Sequence, residues 1–154
     1  MKTLKIEIPK GFEVASFYQE SGEIKFRPTP VDVTDRIKTL DDVYADNGTS
    51  KEEFEQEYGF LPDHVKAYLQ MEMIASSFNE GWEADWTDSS QRKYFQYFYM
   101  GEKSGSSGFR FSVCVYWAAD SLVGSRLCFK SYELAEHTVN LFLEVYKRFH
   151  YKNQ

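Results

Sequence analysis

Three segments that alternate large apolar and polar residues follow one another in the second half of the chain. They are "KYFQYFYM" (93–100), "GFRFSVCVYW" (108–117) and "SRLCFK" (125–130). Period-two alternation of aromatic and β-branched residues is typical of strands with one buried face. The connections between the segments are short or rich in Gly and Ser, so we expect three consecutive antiparallel strands.

The connections also predict a register. Centring the first near Ser104 and the second near Ser121 places large apolar side chains on one shared face. That face carries Phe95, Tyr97, Phe111, Val113 and Phe129. A helix over 131–149, capped by Ser131 and apolar at helical spacing, is expected to pack against it.

The first part of the chain has the same alternation. "TLKIEIP" (3–9), "FEVASFY" (12–18) and "EIKFRP" (23–28) predict a hairpin or meander, with Leu4, Ile6 and Ile8 on one face and a turn at 19–22. Between these strands and residue 81, helix signals dominate. Thr39, the Ser50–Glu53 capping box and Pro62 mark three helix starts.

The order of these segments predicts one α+β domain over residues 1–154. Its antiparallel sheet combines the N-terminal hairpin or meander with the three C-terminal strands. A central helical segment and the C-terminal helix pack against it.

The glycine-rich run "GEKSGSSGFRF" (101–111) is the nearest approach to a nucleotide-binding motif. In a phosphate-binding loop the lysine follows the last glycine and opens a helix. Here Lys103 precedes Gly105 and a strand follows. We therefore interpret the run as a hairpin turn and expect no nucleotide cofactor.

In the predicted register, the second face of the C-terminal strands combines cations with aromatic rings. Its candidate binding residues are Phe98, Arg110, Tyr116, Arg126 and Lys130. Rings that stack on bases beside guanidinium and ammonium groups suit single-stranded nucleic acid. Two alternatives stand beside this: a solvated sheet face, or a face covered by the acidic segment 41–57.

Trp82 and Trp86 flank "EAD" in the loop that enters the strands. Paired tryptophans can form a platform for a sugar ring or a protein partner. They can equally cover the end of a core. In the next strands, Cys114 and Cys128 are predicted to lie opposite each other within disulfide range, or to be packed free thiols.

Composition and sequence patterns argue against several other classes of protein. The net charge of -6 argues against wholesale wrapping of nucleic acid. No apolar run approaches 18 residues, and the N-terminus lacks the apolar core of a signal peptide, so we expect no membrane span and a cytoplasmic protein. Three scattered histidines and no CxxC motif predict no metal site, and no catalytic motif is present.

Two stretches carry a resemblance: "NEGWEADWTDSSQRKYFQYFYM" (79–100) and "VGSRLCFKSYELAEHTVNLF" (123–142). The chain resembles a set of short uncharacterised proteins encoded by phages and prophages of gut Bacteroides bacteria. Relatives in that set often carry proline where this chain has Ala84. The resemblance implies origin on a mobile genetic element and carries no activity.

These observations predict a non-enzymatic accessory protein in the cytoplasm of the host cell, with virion association left open. A protein-interaction module is the first hypothesis, and single-stranded nucleic-acid binding is the alternative. An enzyme with an unfamiliar site is the third.

Overall fold

The computed structural model describes residues 5–29, 31–101 and 108–150. The chain divides into two compact units, residues 1–32 and residues 33–154, and each is described by itself. That residues 1–154 form a single domain stays a prediction.

The first unit is a β-hairpin. Strands β1 (Phe12–Tyr18) and β2 (Glu23–Pro28) pair antiparallel, with one irregularity in β1 between Val14 and Ser16. The predicted turn at 19–22 is confirmed: the Gly22 amide donates to the Tyr18 carbonyl at 2.8 Å, and Gly22 adopts a φ of +70°. Glycine reaches this left-handed region without steric cost.

The predicted strand over residues 3–9 is wrong for residues 5–9, which form no strand; residues 3 and 4 lie outside the described part of the chain. Pro9 has no amide hydrogen with which to continue a ladder, and its carbonyl instead accepts from the Phe12 amide at 3.0 Å. The chain therefore turns before β1. Alternation alone did not supply a pairing partner for Ile6 and Ile8.

The second unit contains the helices that the structure describes. They are α1 (Val33–Arg36), α2 (Leu40–Asp46), α3 (Lys51–Tyr58), α4 (Asp63–Asn79) and α5 (Tyr132–His150). Capping boxes, in which the cap and the third helical residue satisfy each other's backbone amides, open α2 at Thr39 and α3 at Ser50. The Ser131 hydroxyl accepts from the Leu134 amide at 3.2 Å and caps α5. The helix starts expected from the sequence are confirmed.

Strands β3 (Lys93–Tyr99) and β4 (Arg110–Trp117) form a second two-stranded antiparallel sheet. The prediction of a third C-terminal strand, and of one sheet shared with the N-terminal strands, is wrong. Residues Ser125–Leu127 form a 3-10 turn. Phe129 then makes a single bridge to Tyr94, on β3 rather than β4.

The local cause of this difference lies at residues 121–124. The Ser121 hydroxyl accepts from the Val123 and Gly124 amides at 3.1 and 2.8 Å. Gly124, at a φ of +71°, leads directly into the 3-10 turn. These bonds replace the extended geometry that a hairpin onto β4 requires. The coarse class, α+β with antiparallel pairing, is confirmed.

The register of β3 and β4 differs from the predicted one by two residues up to Tyr97 and by one residue after it. Phe95 lies opposite Val115 and Tyr97 opposite Val113, with an irregularity between Tyr97 and Phe98. The turn centre predicted at Ser104 falls at 102–107, outside the described residues.

The face of this sheet that packs on α5 is the one that carries Gln96 and Cys114. The Gln96 amide donates to the Ala135 carbonyl at 2.9 Å and to the Thr138 and Tyr146 hydroxyls at 3.1 and 3.2 Å. The predicted core face is confirmed only in part: Phe95 and Phe129 are buried and Phe111 packs against the core, but Tyr97 and Val113 are 38% and 42% exposed. A polar side chain can be half-buried at a helix contact when its donors find acceptors there.

The core of this unit lies between α4 and α5. Ile74 and Phe78 of α4 pack with Val139 and Phe142 of α5, and all four are buried. Phe142 departs from helical geometry at φ −121°, ψ 27° and kinks α5 where its ring meets Phe78, 6.2 Å between centroids. This core fixes the end of α4, from which the candidate cleft is built.

Candidate functional site

The five residues of the predicted basic and aromatic face are not brought together. Phe98 is half-buried and stacks on Phe109 and Tyr146, with centroids 4.9 and 5.3 Å away. Arg110 lies over the ring of Tyr99 at 3.9 Å. Tyr116 is exposed and lies under a different cation, Arg92, at 4.4 Å.

Arg126 and Lys130 lie outside the sheet, beside α4. Arg126 Nε is 3.2 Å from a carboxylate oxygen of Glu72, and Lys130 Nζ is 3.0 Å from one of Glu80. The acidic partners of Arg126 and Lys130 therefore come from α4 and its C-terminus. They do not come from the acidic segment 41–57, which the sequence offered as a possible cover for this face. The predicted face required residues 125–130 to be a third strand. Because they are not, its five residues lie in different places.

Trp86 covers a buried cation. Lys93 is fully buried, and its ammonium group lies 5.4 Å from the Trp86 ring centroid. The same ammonium donates to the carbonyls of Asp88 and Ala118, each at 2.9 Å. This position agrees with the alternative in which the tryptophan closes one end of the folded unit.

Trp82 and Arg126, which the sequence assigned to two different surfaces, line one cleft. It has a volume of about 430 Å³ and is called the Trp82 cleft below. Its side-chain lining consists mainly of Glu72 and Ser76 of α4, Trp82, Glu83, Ser125 and Arg126. No sequence pattern links these positions, because they meet only through the end of α4.

The geometry of the α4 terminus explains the cleft. Glu80 and Gly81 adopt φ values of +50° and +79°, and the Trp82 amide donates back to the Asn79 carbonyl at 2.9 Å. The Asn79 side chain donates to the Cys128 carbonyl at 2.8 Å and accepts from the Lys130 amide at 3.0 Å. Asn79 therefore fixes the 3-10 segment, with its Ser125 and Arg126, opposite the tryptophan.

Side-chain hydrogen bonds also order the loop that follows Trp82. Asp85 accepts from the Thr87 amide at 2.8 Å and Thr87 hydroxyl at 2.6 Å, which lowers the pKa of the Asp85 carboxyl. Gln91 accepts from the Asp85 amide at 2.7 Å. The cleft wall at Glu83 is thus held by a defined loop.

Electrostatics inside the cleft are mixed. The Tyr68 hydroxyl, and then the Glu72 carboxylate, raise the pKa of the Arg126 guanidinium, which stays charged. Glu83 has no ion-pair partner among the described residues. The lining of the cleft therefore includes one cation and two carboxylates, of which Glu72 is paired with the cation.

The two thiols do not face each other. Cys114 lies opposite Gln96, so the register from which a disulfide-range pair was predicted is wrong. Both thiols are free and buried, and Cys128 donates to the Ser125 carbonyl at 3.3 Å. Burial raises the pKa of Cys114 to about 12 and of Cys128 to about 11, so neither is a reactive thiolate near neutral pH.

A second candidate surface lies on the N-terminal hairpin. Residues directly opposite in an antiparallel ladder share a face. The pairs Phe12–Pro28, Val14–Phe26 and Phe17–Ile24 all fall on one side. We call this side the apolar hairpin face; it consists of Phe12, Val14, Phe17, Ile24, Phe26 and Pro28.

The irregularity at Ala15 keeps this face continuous. Strict alternation from Val14 would bring Ser16 to the apolar side, but the extra residue brings Phe17 there instead. The opposite side carries Glu13 paired with Arg27 at 2.6 Å and Lys25 over the Tyr18 ring at 5.1 Å. Sequence reasoning missed this face because a bulge cannot be read from alternation.

The apolar hairpin face is open. Phe17 is 60% exposed and Phe12 43%, and no described residue of this unit is buried. Large apolar side chains gathered on one exposed surface are typical of interaction sites.

No protein-family model matches the chain, and neither a curated protein nor a solved structure is significantly similar to it. Over the described residues, no cluster of His, Cys, Asp or Glu side chains is placed to hold a metal ion. Within the same ranges, no helix has the length and apolar character needed to cross a membrane.

Proposed function

We propose that this protein is a non-enzymatic interaction module, and that a second copy of the chain binds on its apolar hairpin face. The observation that carries the proposal is the six-residue apolar surface on a two-stranded sheet, which is exposed in the part of the chain that the structure describes. A two-stranded hairpin is only marginally stable in water, and a second sheet on its apolar face supplies the missing layer.

Charge favours a second copy as the occupant. Residues 1–32 contain five basic residues (Lys2, Lys5, Lys10, Lys25, Arg27) and five acidic ones (Glu7, Glu13, Glu20, Glu23, Asp32), a net charge of zero. The whole net charge of -6 is therefore carried by residues 33–154. The hairpin itself therefore adds no repulsion when two copies meet through it, and a charged partner gains no attraction from this unit.

The size of the face sets the strength of the association. Six apolar side chains, of which five are exposed and Ile24 is half-buried, offer roughly 500 Å² per copy, below the ~800 Å² of a standard interface. We therefore expect a reversible dimer with a dissociation constant of about 1–100 µM.

The biological setting of the proposal comes from the resemblance to Bacteroides phage and prophage proteins. It supports an accessory role inside the host cell, where self-association would respond to the protein's own concentration. Single-stranded nucleic-acid binding is the alternative function, and the Arg110–Tyr99 and Arg92–Tyr116 pairs are the features that favour it.

The test is sedimentation velocity of the full chain from about 1 to 200 µM. The wild type is expected to sediment faster as concentration rises. Phe17→Lys, which puts a charge on the apolar hairpin face, should stay monomeric. Ser16→Lys adds the same charge one residue away on the opposite face and should behave as wild type.

A wild type that stays monomeric throughout, or two variants that behave alike, would overturn the proposal. The alternative, single-stranded nucleic-acid binding, is tested by the fluorescence anisotropy of a labelled oligothymidine at increasing salt. Binding through phosphate contacts weakens as salt rises. Salt-dependent binding by a monomeric wild type would favour the nucleic-acid function.

A further inference from the structure

We propose that the Trp82 cleft is a binding site for a neutral polyhydroxyl ligand, a mono- or disaccharide. The inference is independent of self-association, since every residue of the cleft lies in the second unit. The volume of about 430 Å³ falls within the range of small-molecule sites.

The ionic groups of the cleft select against charged ligands. Glu72 lies 3.2 Å from the guanidinium of Arg126 and Glu83 lines the same cleft, so both carboxylates repel a phosphate or carboxylate that enters it. Arg126 in turn repels an ammonium group drawn to the carboxylates. A phosphate-bearing ligand also competes with the existing 3.2 Å pair between Arg126 and Glu72.

A neutral polyol fits the same groups without conflict. The carboxylate of Glu72 accepts hydrogen bonds and the guanidinium of Arg126 donates them, and the two groups are 3.2 Å apart. Adjacent hydroxyls of a sugar can donate to the first and accept from the second.

Further polar atoms in the cleft still have hydrogen-bonding capacity. Among the described residues, the hydroxyls of Ser76 and Ser125, the Trp82 indole N–H and the Glu83 carboxylate have no side-chain hydrogen-bond partner. Together they offer donors and acceptors around one ligand-sized space.

Trp82 can bind the apolar side of a sugar ring. One side of a pyranose ring presents C–H groups, which pack well on a large aromatic face. The other tryptophan of the loop cannot serve, because Trp86 lies against the buried ammonium of Lys93. Trp86 is therefore a matched control for Trp82.

The experiment follows the tryptophan indole resonances of ¹⁵N-labelled protein by NMR. Maltose, cellobiose, lactose and diacetylchitobiose are added to about 10 mM, with glucose 6-phosphate and glucosamine as the anionic and cationic comparators. At least one neutral disaccharide is expected to shift the Trp82 signal saturably. The signals of Trp86 and Trp117 should not move.

Variants then identify the groups that bind. Trp82→Ala and Arg126→Gln should each weaken the affinity about tenfold or more, and Trp86→Phe and Arg92→Gln should leave it unchanged. Because the Arg126 side chain is 70% exposed, its replacement should not unfold the protein.

The proposal is overturned if none of the four neutral disaccharides shifts the Trp82 signal. It is equally overturned if glucose 6-phosphate or glucosamine shifts it more strongly than they do, which would make the cleft an anion or cation site. Repeating the titration on Phe17→Lys separates this result from self-association.

Discussion

The two antiparallel sheets of this chain are built alike but differ in what covers them. Each has two strands, and each contains an irregularity that resets which side chains share a face. Helix α5 packs on the β3–β4 sheet through Gln96 and Cys114. The apolar hairpin face of β1–β2 stays exposed.

This difference shows that apolar side chains on one face of a sheet do not by themselves ensure that the face is buried. Gln96 is half-buried against α5, where Ala135, Thr138 and Tyr146 accept from its amide. Phe17 is exposed because the described part of its own unit offers it no second layer. A sheet face is buried when another helix or strand can pack against it.

The largest expected effect tests whether stability resides in the second unit. Phe78 is fully buried and meets Phe142, so Phe78→Ala should lower the free energy of unfolding by about 3–5 kcal/mol. Phe17→Ala, at an exposed site, should change it by less than about 0.5 kcal/mol. The measurement is urea unfolding followed by tryptophan fluorescence, at a concentration where the protein is monomeric.

Tryptophan fluorescence makes this comparison specific, since Trp82, Trp86 and Trp117 all lie in the second unit. A shift of the unfolding midpoint by Phe17→Ala as large as that by Phe78→Ala would mean that the two regions do not differ in stability as described.

Elements with local signals could be predicted from the sequence. Thr39 and Ser50 cap helices with their own side chains, and the hairpin turn at 19–22 follows from its Gly22. These features depend on residues within a few positions of each other. The same holds for the long helices, whose apolar spacing spans several turns.

Features that depend on distant contacts could not be predicted. Segment 125–130 alternates like a strand, but Ser121 and Asn79 hold it in another geometry beside α4. The placement of Arg126 beside Trp82 depends on the same bonds. The candidate cleft therefore could not be predicted from the sequence, although two of its residues, Trp82 and Arg126, are candidate binding residues in the sequence.

A smaller effect comes from the buried thiols of the second unit. Burial raises the pKa of Cys114 from an ordinary 9.0 to about 12 and that of Cys128 to about 11. Above pH 9 the unfolded chain releases these protons and the folded chain keeps them. Their contribution to stability is therefore full below pH 9 and is lost as the pH rises toward 12.

The measurement is the melting temperature between pH 8 and about 10.5 with a reductant present. Cys114→Ala with Cys128→Ala should flatten the decline relative to wild type. The hairpin contains no cysteine, so the pH dependence of dimerisation should be the same in both proteins. An equally steep decline in the double variant would show that the thiols are not the source.

The smallest expected effect compares two exposed ion pairs of similar geometry. Arg27–Glu13 crosses the hairpin at 2.6 Å, and Arg126–Glu72 joins the 3-10 turn to α4 at 3.2 Å. Pairs this exposed contribute about 0.2–1 kcal/mol. In a unit held by a buried core, a loss of that size disappears, so Arg126→Ala should leave the melting temperature unchanged.

In a two-stranded hairpin near its stability limit, the loss of ~0.5 kcal/mol shifts the folded population more than twofold. Arg27→Ala should therefore speed amide hydrogen exchange in β1 and β2 about twofold, and high salt should reproduce the effect in the wild type. If Arg27→Ala leaves this exchange unchanged at a monomeric concentration, the hairpin has a source of stability beyond its own two strands, and the contrast between the two sheets is smaller than their exposure indicates.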